Sequence, residues 1–379
     1  DELGCPGLTV AVSIDGQVVW AEGLGYADIE KRTPCSADTV MRIASISKPI
    51  TMTAAARLMQ AGKLDIDKPV KEYIDAWPQQ TYKGQNVDIT TRQLVSHMSG
   101  IRHYEKDCGK KAKKAKKEGD EDEMNSQKEL QMKEYYIKEK FTSVASSLNL
   151  FKNDELCSLP GTEYLYTTHG WTAVSAVIEG AAKKPFADLI LQMFKDLGLS
   201  NTYLDDNGPL IYNRSSYYVK NKKSQIENAP YVDNSYKYAG GGFVSTASDL
   251  CRFANVMLFS YQQSPTASTP GYLASDTVKQ LWSPVDNTSC SWNPDGGYGM
   301  GWVVIPQKKE FECGREQRFS VSHTGAAIGA SSALFILPSS DKQGLASAPS
   351  GVAVAMICNL QDAGLQKTAE KIAHLFDKV

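Results

Sequence analysis

A serine and a lysine stand three residues apart at the start of an alanine-rich stretch, MRIASISKPITMTAAARLMQAGKL, at residues 41–64. This stretch predicts a helix over residues 45–61, and residues three apart on a helix lie on the same face. Ser45 could therefore act as a nucleophile, with the amine of Lys48 taking its proton. Serine at the start of a helix is also a common N-cap, so the stretch alone leaves both interpretations open.

The same spacing occurs at Ser339 and Lys342, within PSSDK, where the sequence predicts a polar turn between two strands. Spacing by itself is therefore a weak signal. The surrounding sequence has to distinguish the two pairs.

The composition of the 379-residue chain is that of a folded soluble protein, with 42% hydrophobic and 9% aromatic residues. A formal net charge of -2 gives no general attraction to nucleic acid or to an anionic membrane surface. No apolar run approaches the roughly 18–20 residues of a membrane span. Because Asp1 directly precedes a predicted strand, we expect the targeting presequence to be missing from this chain.

The eight cysteines are scattered and form no pair with the spacing of a zinc or redox motif. We therefore expect no metal ion and no cofactor. Most of the cysteines are expected to be buried thiols, with one or two disulfides left open.

Strands are predicted at both ends of the chain. The stretch PGLTVAVSIDGQVVWAEGLGYAD alternates apolar residues around Asp15 and Gly16, which predicts a hairpin with strands over roughly 8–14 and 17–26. Near the other end, four strands are predicted at YGMGWVVI, RFSVSH, SSALFIL and GVAVAMICN, followed by an amphipathic helix at QKTAEKIAHLFDKV. We expect the two ends to share one antiparallel sheet.

The patterns between these strands are mostly helical. They predict helices at residues 45–61, 91–97, 127–149, 170–182, 185–196 and about 248–260. The predicted architecture is α+β, an antiparallel sheet flanked by terminal helices, with a helical subdomain. Residues 1–28 and 295–379 would form the α/β subdomain, and the mainly helical subdomain at 29–294 would carry the nucleophile.

One segment, EKDCGKKAKKAKKEGDEDEMNSQKE, contains a lysine block, an acidic block and almost no apolar residue. Such a segment cannot bury enough surface to order itself, so residues 105–126 are predicted to form a mobile, solvated insertion. On one interpretation it is a tolerated surface loop. On the other it is a polyampholyte arm for self-association or docking.

Six stretches, in order along the chain, resemble the serine beta-lactamase and penicillin-binding-protein family, in the branch similar to class C enzymes and D-aminopeptidase-like esterases. They are VMRIASISKPIT, AGKLDIDKPVKEYI, ITTRQLVSHMSGIRHY, PGTEYLYTTHGW, GGFVSTASDLCRFANVML and SHTGAAIGASS. Several ordered blocks are far more specific than one short motif. The resemblance covers nearly the whole chain, fails mainly in the charged insertion, and implies a beta-lactamase/transpeptidase-like fold.

The first family motif matches Ser45 and Lys48, which the resemblance implies are the acylated nucleophile and its base. A lysine near its solution pKa of about 10.4 would be mostly protonated at pH 7. General-base work therefore requires burial or a nearby cation to lower the pKa of Lys48.

The second motif, a tyrosine followed two residues later by asparagine, falls on Tyr166 and Thr168. The phenol of Tyr166 could pass a proton to the leaving group or activate the deacylating water. Without the family context, Tyr166 would be interpreted as a packing aromatic. Because the hydroxyl of Thr168 cannot both donate and accept in the fixed geometry of an amide, we expect weaker binding of a substrate amide, as in beta-lactams.

The third motif falls on SHTGA, with His323, Thr324 and Gly325 in the places of the family's lysine or histidine, threonine and glycine. Gly325 would let the substrate backbone approach closely. The backbone N–H groups of Ala326 and Ser45 would form the oxyanion hole. Taken alone, His323 is typical of a polar strand residue; its imidazole, with a pKa of about 6.5, is largely neutral at pH 7, so we expect weak carboxylate recognition.

Two further stretches carry less weight. His97 and Ser99 in SHMSG look like a catalytic pair, but the resemblance implies a structural helix end, with Gly100 suited to terminating it. The glycine run at 240–242 lacks the context of a phosphate loop and indicates close backbone packing near the site.

The main hypothesis is a serine acyl hydrolase that acts on peptide bonds through an acyl-enzyme on Ser45, with Lys48 and Tyr166 exchanging protons. The resemblance implies a peptide or small acyl substrate, a location in the mitochondrial intermembrane space, a link to lipid metabolism, and assembly into a homo-oligomer or filament that associates peripherally with membranes. One alternative is a structural, filament-forming protein with weak or vestigial esterase or beta-lactamase activity. Another is a vestigial enzyme that acylates without turnover.

Overall fold

A nine-stranded antiparallel sheet joins the two ends of the chain in the computed structural model, which describes residues 4–75, 77–104, 133–264, 270–290, 293–311, 315–339 and 348–378. In spatial order the strands are Ser289–Cys290, Asn293–Tyr298, Val303–Ile305, Ser320–Ala327, Ala330–Pro338, Gly351–Cys358, Gly7–Ile14, Gln17–Asp28 and Thr33–Pro34. Val10 of the first strand lies opposite Met356 near the other end of the chain. The prediction that both ends share one antiparallel sheet is confirmed.

The N-terminal hairpin forms as predicted, with strands Gly7–Ile14 and Gln17–Asp28. Its turn residues, Asp15 and Gly16, both have positive φ, of 47° and 88°. Two such residues form the type I′ turn that suits the twist of a two-residue hairpin. The turn thereby sets the register of the first two strands.

Helices cover both faces of the sheet. The C-terminal helix Gln366–Phe376 packs on one face, over an apolar cluster that includes Val354. The helix Ala247–Gln262 crosses the other face, where Cys251 Sγ lies 3.3 Å from the carbonyl oxygen of Ala11. The expectation of flanking terminal helices therefore holds for the C-terminal helix, while a helix from the middle of the sequence covers the opposite face.

The described residues outside the sheet are mainly helical. The helices are Ser47–Gln60, Thr91–Val95, Val144–Leu148, Thr168–Ala182, Phe186–Asp196, Tyr238–Gly241, Ala247–Gln262 and Ser275–Leu281. Among the short strands, Phe243–Ser245 lies between Met41–Arg42 and Tyr203–Leu204 and pairs with both. The other short pairs are Gln80–Tyr82 with Gln85–Val87, Tyr218–Lys220 with Ile226–Asn228, and Lys308–Phe311 with Arg315–Gln317. The main apolar cluster combines helix residues such as Trp171 with sheet residues such as Leu334, both fully buried. All predicted helices but the one at 127–149 are found within about two residues at each end.

The helix predicted over 127–149 is wrong across residues 137–143, which are not helical. The backbone there bonds to a distant segment, as where the Asp233 N–H donates to the Ile137 carbonyl oxygen at 2.8 Å. Among the described residues of this stretch, 133–135 and Val144–Leu148 are helical. Local sequence pattern carries no information about such non-local partners.

The charged insertion at 105–126 and residues 127–132 lie outside the described residues, and the division into two subdomains stays a prediction. Within the ranges that are described, no helix is long and apolar enough to span a membrane. The same ranges contain no group of three or more His, Cys, Asp or Glu side chains that could hold a metal ion.

Candidate active site

Ser45 lies in a short 3₁₀ turn, Ala44–Ile46, immediately before the helix Ser47–Gln60. The residue that flanks this helix is Ile46, which makes no capping hydrogen bond. Ser45 is therefore not the N-cap. Its partly buried hydroxyl instead shares a hydrogen bond of 2.9 Å with Lys48 Nζ, so the helix brings the two sequence-predicted residues together.

Lys48 is fully buried in the first turn of this helix. Its amine also donates to the carbonyl oxygen of Gly240, at 2.6 Å. Burial, and secondarily the positive charge of Lys237, hold the pKa of Lys48 well below its usual range, and no acidic group of the described residues counteracts them. A neutral amine beside a serine hydroxyl can take up its proton. General-base work was expected to need either burial or a nearby cation to lower the pKa of Lys48, and the structure provides both.

The hydroxyl of Tyr166 lies 2.8 Å from Ser45 Oγ. Lys48 Nζ lies 4.8 Å from the centre of the same ring, so the three side chains form one cluster. Tyr166 immediately precedes Thr167, whose hydroxyl caps the helix Thr168–Ala182 by accepting a first-turn N–H at 3.1 Å. This cap fixes the backbone that presents the phenol.

His97 packs against Tyr166, with ring centres 4.1 Å apart. It follows the short helix Thr91–Val95 with a left-handed φ of 61°, and its Nδ1 accepts the N–H of Thr167 at 3.0 Å. Burial first, and then the charge of Lys48, lowers the pKa of His97 well below its usual value, so the imidazole is neutral. A helix end lies here as expected, but the helix stops at Val95, so that His97, and not Gly100, is the first left-handed residue after it. The contact of His97 with Tyr166 had no signal in sequence spacing.

The third motif lies on the strand Ser320–Ala327, which passes beside the nucleophile turn. The Nε2 atom of His323 shares a hydrogen bond of 2.8 Å with the hydroxyl of Tyr298. Burial, and then the charge of Lys48, lowers the pKa of His323 to about 3. The imidazole is therefore neutral at physiological pH and provides no fixed positive charge, as the sequence predicted. Thr324 is half-buried on the same strand, and Ala326 is exposed near its end.

Gly325 packs directly against the nucleophile turn. A β-carbon on Gly325 would lie 2.3 Å from the carbonyl oxygen of Ile43 and 3.0 Å from the β-carbon of Ala44. Ala44 has a left-handed φ of 48°, rare for a residue other than glycine. Ser332 Oγ also donates to the Ile43 carbonyl oxygen, at 2.7 Å. Gly325 thus lets the strand support the strained residue before Ser45, while its expected role in substrate approach stays a prediction.

Thr168 begins the helix that follows Tyr166; it is 6% exposed, and its backbone N–H donates to His103 Nδ1 at 3.2 Å. The backbone of Gly240 passes close by, because a β-carbon there would lie 2.9 Å from Thr168 Cγ2. The close packing predicted for the glycine run is confirmed. The carbonyl bond from Gly240 to Lys48 was not predicted.

An antiparallel sheet with helices on both faces, and a serine, a lysine and a tyrosine that meet where one helix begins, define the beta-lactamase and transpeptidase class of protein. The chain belongs to this family: the family model described as Beta-lactamase matches residues 1–375. The human protein named Serine beta-lactamase-like protein LACTB, mitochondrial (Homo sapiens) is 45% identical over 424 residues, covering 100% of this chain and 78% of that protein.

Two solved structures have the same fold. The octameric penicillin-binding protein homologue from Pyrococcus abyssi has a TM-score of 0.71 and 18% identity, over 99% of this chain and 74% of that chain. A D-stereospecific amidohydrolase from Streptomyces sp. has a TM-score of 0.70 and 20% identity, over 98% of this chain and 94% of that chain. These likenesses confirm the predicted α+β, beta-lactamase/transpeptidase-like fold.

Proposed function

We propose that the protein is a serine acyl hydrolase that cleaves peptide (amide) bonds through an acyl-enzyme on Ser45. The observation that carries the proposal is the position of Ser45 Oγ, 2.9 Å from Lys48 Nζ and 2.8 Å from the hydroxyl of Tyr166. Burying an amine costs free energy of folding. An amine buried beside a serine, with its pKa lowered, has the properties of a general base.

In the proposed reaction, neutral Lys48 takes the proton of Ser45 as Oγ attacks the carbonyl carbon. The oxyanion accepts hydrogen bonds from the backbone N–H groups of Ser45 and Ala326. As the C–N bond breaks, Tyr166 gives its proton to the leaving amine and receives the proton held by Lys48. Water then attacks the ester on Ser45, one of its protons returns to Oγ, and the carboxylic acid is released.

The substrate proposed is a peptide rather than a penicillin. Thr168 offers a hydroxyl where the family has an amide. The neutral imidazole of His323 lacks the charge with which a lysine would attract a carboxylate. Both changes affect recognition, whereas Ser45 and Lys48 retain the acylating arrangement.

A fluorophosphonate probe, with the adduct mapped by peptide mass spectrometry, tests this proposal because it reports an activated serine without knowledge of the substrate. We expect labelling at Ser45 and its loss in Lys48→Ala. Ser339→Ala is the matched control, since Ser339 has the same spacing to a lysine, and it should retain wild-type labelling. Absence of a Ser45 adduct in the folded protein, or equal turnover of a peptide and ester panel by wild type and Ser45→Ala, would contradict the proposal.

We also propose homo-oligomeric assembly in the mitochondrial intermembrane space. The name of the human relative, which includes the word mitochondrial, and the octameric state of the Pyrococcus homologue support this proposal. Sedimentation velocity of the full chain and of a chain lacking residues 106–124 tests the assembly. An unchanged sedimentation coefficient would exclude the charged insertion as the assembly element, and assembly without labelling at Ser45 would favour the structural, filament-forming alternative.

A further inference from the structure

Lys237 is a second buried lysine near the proposed site, and the reaction above does not use it. It is 4% exposed and ends the 3₁₀ turn Ser235–Lys237, directly before the helix Tyr238–Gly241. That helix supplies the Gly240 carbonyl oxygen that lies 2.6 Å from Lys48 Nζ. The charge of Lys237 also reaches Lys48, since it helps to lower the pKa of that residue.

Three tyrosine rings surround the ammonium of Lys237 and form what we call the tyrosine cage. Nζ lies 4.9 Å from the ring centre of Tyr135, 5.2 Å from that of Tyr236 and 5.8 Å from that of Tyr104. A cation is attracted to ring faces at these distances. Among the described residues, however, no oxygen accepts a hydrogen bond from Nζ and no carboxylate forms an ion pair with it.

Of the charged groups that the structure describes near Lys237, none is a counter-ion for this lysine alone. Arg42 lowers the pKa of Lys237, and Asp205 raises it by a smaller amount. The carboxylate of Asp205 is already bound by Arg42 at 2.8 Å, by Asn234 at 2.5 Å and by Arg214. Glu134, whose charge also reaches Tyr104 and Tyr236, is likewise bound, by Arg102 and His169.

The tyrosine cage is connected to Thr168, the residue that replaces the family's asparagine. Tyr104 lies close enough to Tyr236 and Thr168 for their side chains to favour ionisation of its phenol, whose pKa burial raises. Thr168 in turn packs against the backbone of Gly240. An acyl group that reaches Thr168 would therefore meet one wall of the cage around Lys237.

We propose that Lys237 binds a carboxylate on the acyl side of the substrate and so makes the site selective for anionic acyl groups. This inference rests on the serine hydrolase function proposed above. The incoming carboxylate would supply the counter-ion that the described residues do not give the buried ammonium, and would form a charge-assisted hydrogen bond with it. Because His323 is neutral, this role is not filled by the third motif.

The charge on Lys237 makes this selectivity depend on pH. Burial, and then the charge of Arg42, lowers the pKa of Lys237 to about 7, so the ammonium is present below that pH and is lost above it. A substrate carboxylate with an ordinary pKa near 4 stays ionised over the whole of this range. The preference for an anionic substrate should therefore fall as the pH rises through 7.

Two nitrophenyl esters of matched length provide the test. Mono-4-nitrophenyl glutarate carries a carboxylate on its acyl chain, and 4-nitrophenyl valerate does not. The measured quantity is the ratio of kcat/KM for the anionic ester to kcat/KM for the neutral ester, from about pH 6 to 8.5, because kcat/KM reports the ionisation of the free enzyme. A change in the pKa of Lys48 alters kcat/KM for both esters by the same factor, so it cancels in the ratio. In the full wild-type chain we expect the ratio to fall on the order of tenfold.

Variants separate the charge of Lys237 from its packing. Lys237→Met should give a low ratio that does not vary with pH. Lys237→Arg keeps a positive charge throughout and should give a high ratio that does not vary with pH. Lys63→Met, at an exposed lysine, is the matched control and should keep the wild-type profile. Thermal melting shows whether each variant is folded.

A wild-type ratio that is flat across this pH range would overturn the inference even if no variant folds. A folded Lys237→Met protein with the wild-type ratio would do the same. If Ser45 takes up the fluorophosphonate and both esters are cleaved without preference, this inference alone fails. If Ser45 is unlabelled and neither ester is cleaved, the proposed hydrolase function fails with it.

Discussion

Lys48 Nζ and Ser45 Oγ are joined by a hydrogen bond of 2.9 Å in a position where the lysine has no exposed surface. A second bond of 2.6 Å, to the carbonyl oxygen of Gly240, takes up one hydrogen of the amine. When the amine is neutral, its lone pair can face the serine hydroxyl. The buried amine is therefore neutral, and its lone pair can point at the serine hydroxyl, as removal of the serine proton requires.

Lys48→Arg is expected to lower labelling of Ser45 by at least about 100-fold, although the substitution keeps a basic side chain. A guanidinium cannot be deprotonated in a protein, so it cannot accept the serine proton. The second-order rate of fluorophosphonate labelling measures this loss, with Lys63→Arg as the control at an exposed position. Labelling within a few-fold of wild type would rule out Lys48 as the base.

The activity on a neutral ester should rise with pH and reach its plateau well below the ordinary lysine pKa of about 10.4. Burial and the charge of Lys237 favour the neutral amine, so the active form of Lys48 predominates at a lower pH than it would in water. Because Lys237→Met removes that charge, it should shift the rise toward higher pH. The pH profile of kcat/KM tests both statements, and a wild-type rise centred near pH 10 would contradict them.

The sheet could be predicted from the sequence because its signals are local. Asp15 and Gly16 mark the hairpin turn, and the continuous apolar run GVAVAMIC is typical of a strand buried on both faces. The helix predicted over 127–149 failed because its middle forms backbone hydrogen bonds with a remote segment, as Ile137 does with Asp233. Such partners are set by the fold and not by periodicity.

The candidate site also has a part that could be predicted from the sequence and a part that could not. Ser45 and Lys48 are neighbours in sequence, and their motif is recognisable. The hydrogen bond of Lys48 to Gly240 and the effect of the Lys237 charge on Lys48 come from a chain segment about 190 residues away, which only folding brings near. The sequence indicated that burial or a nearby cation must lower the pKa of Lys48, but it could not identify Lys237 as that cation.

Tyr166→Phe is expected to lower kcat for a peptide substrate by about 10²- to 10⁴-fold while leaving the thermal stability nearly unchanged. The substitution removes the hydroxyl that lies 2.8 Å from Ser45 Oγ but keeps the ring that packs on His97. A nitrophenolate leaves without being protonated, so the loss should be smaller for a nitrophenyl ester than for a peptide. Tyr164→Phe, on the same segment, is the control, and an equal loss on both substrates would contradict the proton-transfer role of Tyr166.

Gly325→Ala is expected to destabilise the protein by about 1–3 kcal/mol, as overpacking of a filled interior does. The added β-carbon would lie 2.2 Å from Ser332 Oγ and 2.3 Å from the carbonyl oxygen of Ile43, so atoms must move. The new methyl group would meet the strained turn that carries Ser45. The rate of fluorophosphonate labelling at Ser45 should therefore fall by more than the loss of folded protein alone would cause.

Chemical denaturation and the rate of fluorophosphonate labelling measure the two effects of Gly325→Ala separately. Gly364→Ala is the matched control, because a β-carbon at Gly364 would meet no atom within 4 Å. If Gly325→Ala were as stable and as reactive as Gly364→Ala, the third-motif strand would not be supporting the nucleophile turn. If it lost stability and kept its labelling rate, the strand would support the fold but not the position of Ser45.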